Sequence, residues 1–119
     1  LVLCAEDADP ARAAALADQG VEVERVGSGQ AGLDLREVAA VLGSRAVTGA
    51  LVEPGPALAR GLLAAGLADR WTFFVAPLWE SAEDALSLFP VGGFDAPIEL
   101  LDPVWERYGP DASVSGRLG

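Results

Sequence analysis

The chain has 119 residues, 51 % of them hydrophobic, and a formal charge of −10 without a single histidine. That is ample apolar material for one packed domain, while eight arginines scattered singly exclude a nucleic-acid surface, which needs clustered cations. No run approaches the roughly 18 to 20 apolar residues of a membrane span, and no basic leader precedes a cleavable segment, so a soluble, cytoplasmic protein is expected.

One cysteine, Cys4, cannot form an internal disulfide, and the lack of histidine removes the common zinc clusters and the Ser/His or Cys/His pairs. Metal is therefore not expected. Leu1 already lies in a strand-like run and methionine is absent, so the chain is expected to be a fragment of a longer product, with residues 1–119 as a single α/β domain.

In chain order, Leu1 to Ala5 reads as a buried strand. Asp9 before Pro10 is a helix start, because Asp accepts a hydrogen bond from a free N–H and Pro at the first helical position needs no partner. That helix should run to Gln19 and stop at Gly20, with Val21 reaching back to Leu16. Val21, Val23 and Val26 alternate with Glu22 and Glu24, as in a strand near a sheet edge. Gly27 to Gly32 is a loop. Asp34 with Glu37 is a capping-box pattern opening a second helix with an apolar stripe at Leu35, Val38, Val41 and Leu42.

Ala46 to Val52, almost free of charge, predicts a central third strand. Gly55 and Pro56 open a third helix that Gly66 and Leu67 close, and Trp71 to Ala76 is a fourth strand. Trp79 to Phe89 reads as a short acidic surface helix or ordered loop, its Glu80, Glu83 and Asp84 forming a wet face, and Pro90 to Phe94 as a turn. Ile98 to Tyr108 and Ala112 to Leu118, separated by Gly109, Pro110 and Asp111, predict an antiparallel hairpin. The expected fold class is α/β: a largely parallel sheet flanked by helices, with a C-terminal antiparallel hairpin.

The most informative stretch is Leu51-Val52-Glu53-Pro54-Gly55-Pro56-Ala57-Leu58-Ala59. A strand ending in a carboxylate and a tight turn leads to a helix whose first residue before the cap has no side chain, so an anion can approach its free N–H groups. The same pattern is also an ordinary Gly-Pro helix cap, and Gly-x-Gly-x-x-Gly is missing. Taken by themselves, Glu53 reads first as a strand-end carboxylate capping the next turn, and Arg60 equally as a solvated helical arginine or as a residue near a phosphate.

Val52 to Ala59, then Leu63-Ala64-Ala65-Gly66-Leu67-Ala68-Asp69 and Phe74-Val75-Ala76-Pro77, resemble the reductase domain of the bifunctional riboflavin-biosynthesis deaminase/reductase. Asp9 to Leu16, Gly20 to Val23 and Tyr108 to Asp111 resemble the family's stretches in the same order. The resemblance implies a dihydrofolate-reductase-like fold, incomplete at its N-terminus because the family's opening strand and helix lie before Leu1, which leaves this piece inactive alone. It implies NADPH as cofactor, a pyrimidine ribotide substrate and a homodimer. Glu53 would contact substrate, and Gly55, Pro56, Ala57, Leu58, Ala59, Arg60 and Gly61 would line the cofactor. The rival is a noncatalytic nucleotide-binding or dimerisation module of the same descent.

Overall fold

A computed structural model of the chain describes residues 1–29, 32–78 and 97–119. Packing divides it into two units, Leu1–Glu53 and Pro54–Gly119. The expected acidic helix at Trp79 to Phe89, the turn at Pro90 to Phe94 and the middle of the Gly27 to Gly32 loop lie outside the described residues.

The first unit runs β1 (Val2–Ala5), α1 (Pro10–Asp18), β2 (Val23–Val26), β3 (Ser28–Gly29), β4 (Gly32–Leu33) and α2 (Leu35–Ser44). β1 and β2 pair in parallel, from Val2 opposite Val23 to Ala5 opposite Val26, with α1 as their crossover. Asp9 caps α1 as its position predicts, its Oδ1 accepting from the Ala11 amide at 2.8 Å. The helix closes on Gly20, whose φ of 79° only glycine takes without strain, and the Val21 amide donates to the Leu16 carbonyl at 3.0 Å.

Only half of the expected capping box forms on α2. Asp34 accepts from the amides of Arg36 and Glu37, but Glu37 turns away and its Oε2 accepts from the Gly27 amide at 2.7 Å. The carboxylate thus ties the helix to the chain entering the small antiparallel pair β3–β4. Arg45 follows α2 and grips two carboxylates: Nη1 donates to Glu22 Oε2 at 2.8 Å, and Nη2 contacts both Glu22 and Glu24.

This bidentate hydrogen bonding holds the Glu22 carboxyl below its ordinary range. A group with a depressed folded value stabilises the native state above its unfolded value, and that contribution disappears as pH falls through the folded value. The unfolding midpoints of wild type and Arg45→Met should therefore differ at pH 7 and converge at acid pH, below the range where ordinary carboxylates protonate. Urea titrations at the two pH values check this; an unchanged gap would remove the ion pair as its cause.

The expected third strand does not form: Val47 to Gly55 is irregular and Leu51 is 93 % exposed. Ala46, at φ 59°, ends α2 in the left-handed conformation, and the run pairs with no strand among the described residues. Apolar composition alone does not make a strand without a neighbour.

The second unit contains α3 (Pro56–Ala64), β5 (Arg70–Val75), β6 (Leu100–Tyr108) and β7 (Asp111–Leu118). Its sheet is antiparallel with order β5-β7-β6, so β1–β2 is the parallel pair among the described residues and the expectation of a largely parallel sheet is corrected. The predicted hairpin is present, turning at Gly109, whose φ is 63°. Across this sheet, Phe73, Val114 and Trp105 lie side by side on one face with Trp71, whose ring centroid is 5.5 Å from that of Phe73. The opposite face carries Phe74, buried Ser113, Glu106 and Tyr108. Tyr108 donates to Glu106 Oε2 at 2.9 Å, which raises its hydroxyl's pKa.

Along β6 the register slips between Leu101 and Val104, where Asp102 takes a φ of 49° and binds Arg117 at 2.7 Å. This is a β-bulge: three steps on β6 face two on β7.

Candidate functional site

The start of α3 differs from those of α1 and α2 in what caps it. Gly55 is the cap residue, extended at φ −69° and ψ 169°, and supplies no side-chain acceptor. Pro56 occupies the first helical position and has no N–H. The Ala59 amide donates to the Gly55 carbonyl at 2.9 Å, and the Ala59 side chain is fully buried. The amides of Ala57 and Leu58 remain as the donors at the helix start, where aligned peptide dipoles add partial positive charge.

Access to them is open. A Cβ built on Gly55 meets nothing within 4 Å, and Ala57, Leu58 and Arg60 are exposed. Gly61 is half-buried and its carbonyl accepts from the Ala65 amide at 2.9 Å, within the helix. At its other end α3 closes on Gly66, φ 63°, with the Leu67 amide donating to the Leu62 carbonyl. Of the residues expected to line a cofactor, Gly55 through Gly61 thus share one helix, with the donors concentrated at its first turn. Glu53 is exposed at the end of the first unit.

Two features escaped sequence reasoning. One is a cavity of about 420 Å³ at the far end of α3, lined by Leu63, Asp69, Ile98, Arg117 and Leu118 among others. The other is Arg25, whose Nη1 donates to main-chain carbonyls between β1 and α1. Neither carries a local motif, since each depends on chain segments far apart in sequence. Cys4, in β1, is half-buried. Among the described residues no group of three or more Cys, Asp or Glu could hold a metal ion, and no helix is long and apolar enough to cross a membrane.

These elements define a mixed α/β protein with an uncapped helix start suited to an anionic group. Comparison with the curated proteins finds no match. The chain belongs to the RibD C-terminal domain family, which matches residues 1–114. That domain is the reductase part of the bifunctional riboflavin deaminase/reductase; its family is one of riboflavin-pathway reductases, which typically draw on a nicotinamide cofactor.

Proposed function

We propose that the protein reduces the ribosyl group of a 5-amino-6-(5-phosphoribosylamino)uracil-type intermediate to ribityl, with NADPH as reductant. Family membership gives the reaction class, and the observation that carries the cofactor assignment is the open start of α3. The residues there fit a phosphate: two main-chain amides without a side-chain cap, a helix dipole, and a glycine whose missing Cβ leaves the approach clear.

When bound, NADPH supplies the hydride. The chain's own residues bind and orient. Ala57 and Leu58 donate their amides to a cofactor phosphate, and Pro54-Gly55-Pro56 restricts the backbone so that little ordering entropy is lost on binding. Arg60, exposed on the same helix, adds a positive charge to it. Glu53 accepts hydrogen bonds from substrate hydroxyls and so holds the sugar in register, the task left to protein where the cofactor carries the chemistry.

Titration of the natural protein with NADPH, followed by nicotinamide fluorescence, should saturate below millimolar cofactor. No binding at millimolar cofactor rejects the reductase reading in favour of a noncatalytic module. The exposed aromatic side chains Phe74, Trp105 and Tyr108 support a further element of the proposal, a homodimer, since such residues are enriched at interfaces. Sedimentation at high concentration should then read twice the chain mass; a monomer would refute it.

A further inference from the structure

The cavity at the far end of α3 lies wholly within the second unit. Hydrogen bonds fix its walls. The amides of Gly66 and Leu67 donate to the carbonyls of Leu63 and Leu62, which closes the helix and sends the chain through Ala68 and Asp69 into β5. Beside that turn, the Leu118 amide donates to the Asp69 carbonyl at 3.1 Å and the Gly119 amide to the Glu99 carbonyl at 3.3 Å. The end of β7 is thereby tied to the residues entering both β5 and β6. Gly66, Ala68 and Gly119 add little bulk to this corner, and the space left, about 420 Å³, has the size of a small-molecule pocket.

Its lining combines apolar walls with one unbalanced charge. Leu63, Ile98 and Leu118 supply the apolar surface, and Asp69 and Arg117, both exposed, supply the charged groups. Arg117 is held by Asp102 at 2.7 Å, so its charge is offset. The Asp69 carboxylate has no hydrogen-bond or ion-pair partner among the described residues. Next to it the C-terminal end of α3 adds partial negative charge. Nine helical residues span about 13 Å, so this end is well separated from the amides of the first turn.

We infer that the cavity is a binding site for a small organic cation, a primary ammonium on a short aliphatic body. The ammonium donates to the Asp69 carboxylate, and the aliphatic part lies on Leu63, Ile98 and Leu118. The eight basic residues are all arginines, so a second copy of the chain brings no such group. Neither Glu53 nor the start of α3 takes part, which makes this site independent of the reductase reading.

The test titrates the isotope-labelled natural protein with n-butylammonium, follows the amide chemical shifts, and uses butyrate as the control of opposite charge. Saturable shifts should appear at Ala68, Asp69, Leu118 and Gly119 with a Kd on the order of 1 mM, and butyrate should leave them in place. Asp69→Asn should raise that Kd about tenfold, the scale of one charge-assisted hydrogen bond, while Asp69→Glu keeps the charge and should stay within about threefold of wild type. Asp69 is exposed and lies outside the regular elements, so both variants fold, and their urea midpoints verify it. Shifts still linear far above that concentration overturn the inference, as does an equal response to butyrate. An unchanged Kd in folded Asp69→Asn does the same, and so do shifts spread evenly over acidic residues elsewhere, which would mark a general attraction to the chain's negative charge.

Discussion

Gly55→Asp should make the protein slightly more stable and at the same time sharply weaken its cofactor binding. Gly55 sits in the extended conformation of a helix cap, φ −69° and ψ 169°, which every residue type adopts, and a side chain there enters open space. The variant therefore folds. An aspartate at this position does for α3 what Asp9 and Asp34 do for α1 and α2, accepting from the amides of the first turn. The gain over glycine is a few tenths of a kcal/mol.

The same two amides, of Ala57 and Leu58, are the ones assigned to a cofactor phosphate. The new carboxylate occupies them and adds a negative charge where the phosphate must lie, so the Kd for NADPH should rise on the order of a hundredfold, the combined scale of a lost charge-assisted hydrogen bond and a like-charge contact. Isothermal titration and a urea unfolding curve on the same sample read both effects. Opposite signs separate a ligand site from a plain cap, for which both quantities would be left near their wild-type values or only stability would change. Unaltered NADPH affinity in the folded variant would remove α3 from the cofactor site.

Gly116→Ala should be among the most destabilising substitutions of a single methyl in the chain. Gly116 is buried on β7, the central strand of the antiparallel sheet, and a Cβ there would stand 2.9 Å from Leu100 Cβ and 2.9 Å from the Leu101 carbonyl oxygen. The second contact is with main chain, which cannot rotate aside. Relief requires β6 to shift just where its register already slips, between Leu101 and Val104. Overpacking of this kind costs about 1 to 3 kcal/mol, and backbone displacement in a paired strand puts the expectation near the upper end. A thermal midpoint within a degree of wild type would show that the strand yields freely. Gly55→Ala is the control, since its Cβ meets nothing.

Local chemistry was legible in the sequence. Asp9-Pro10 and Asp34 mark helix starts, and Gly20 and Gly66 mark ends, because each cap is satisfied by atoms within a few residues. The hairpin was legible for the same reason: Gly109-Pro110 can turn the chain whatever surrounds it. What failed depends on distant partners. Ala46 to Val52 has the composition of a buried strand, yet strand formation needs a neighbour that composition does not specify. The orientation of β5 is set by its pairing with β7, forty residues on, and nothing within Trp71 to Ala76 signals antiparallel rather than parallel.

Side chains with long reach were hidden likewise. Glu37 has the spacing of a capping box and bonds instead to Gly27, while Arg25 and Arg45 find acceptors 17 to 23 positions away. At the candidate site, the sequence placed Gly55 through Gly61 on one helix start. That Ala59 is buried and internally bonded, leaving Ala57 and Leu58 as donors, follows from packing and helix register together.

Among the described residues β6 is an outer strand of its sheet, and its slip also governs what that rim can attract. An outer strand with a continuous row of free N–H and C=O groups is a template on which a foreign chain can polymerise. Asp102 breaks that row with a left-handed turn of the backbone, and Pro103 beside it has no hydrogen to offer. The nine-residue strand is thereby cut into shorter stretches, each a poor seed for amyloid-like stacking, so this border of the second unit is protected by its irregularity.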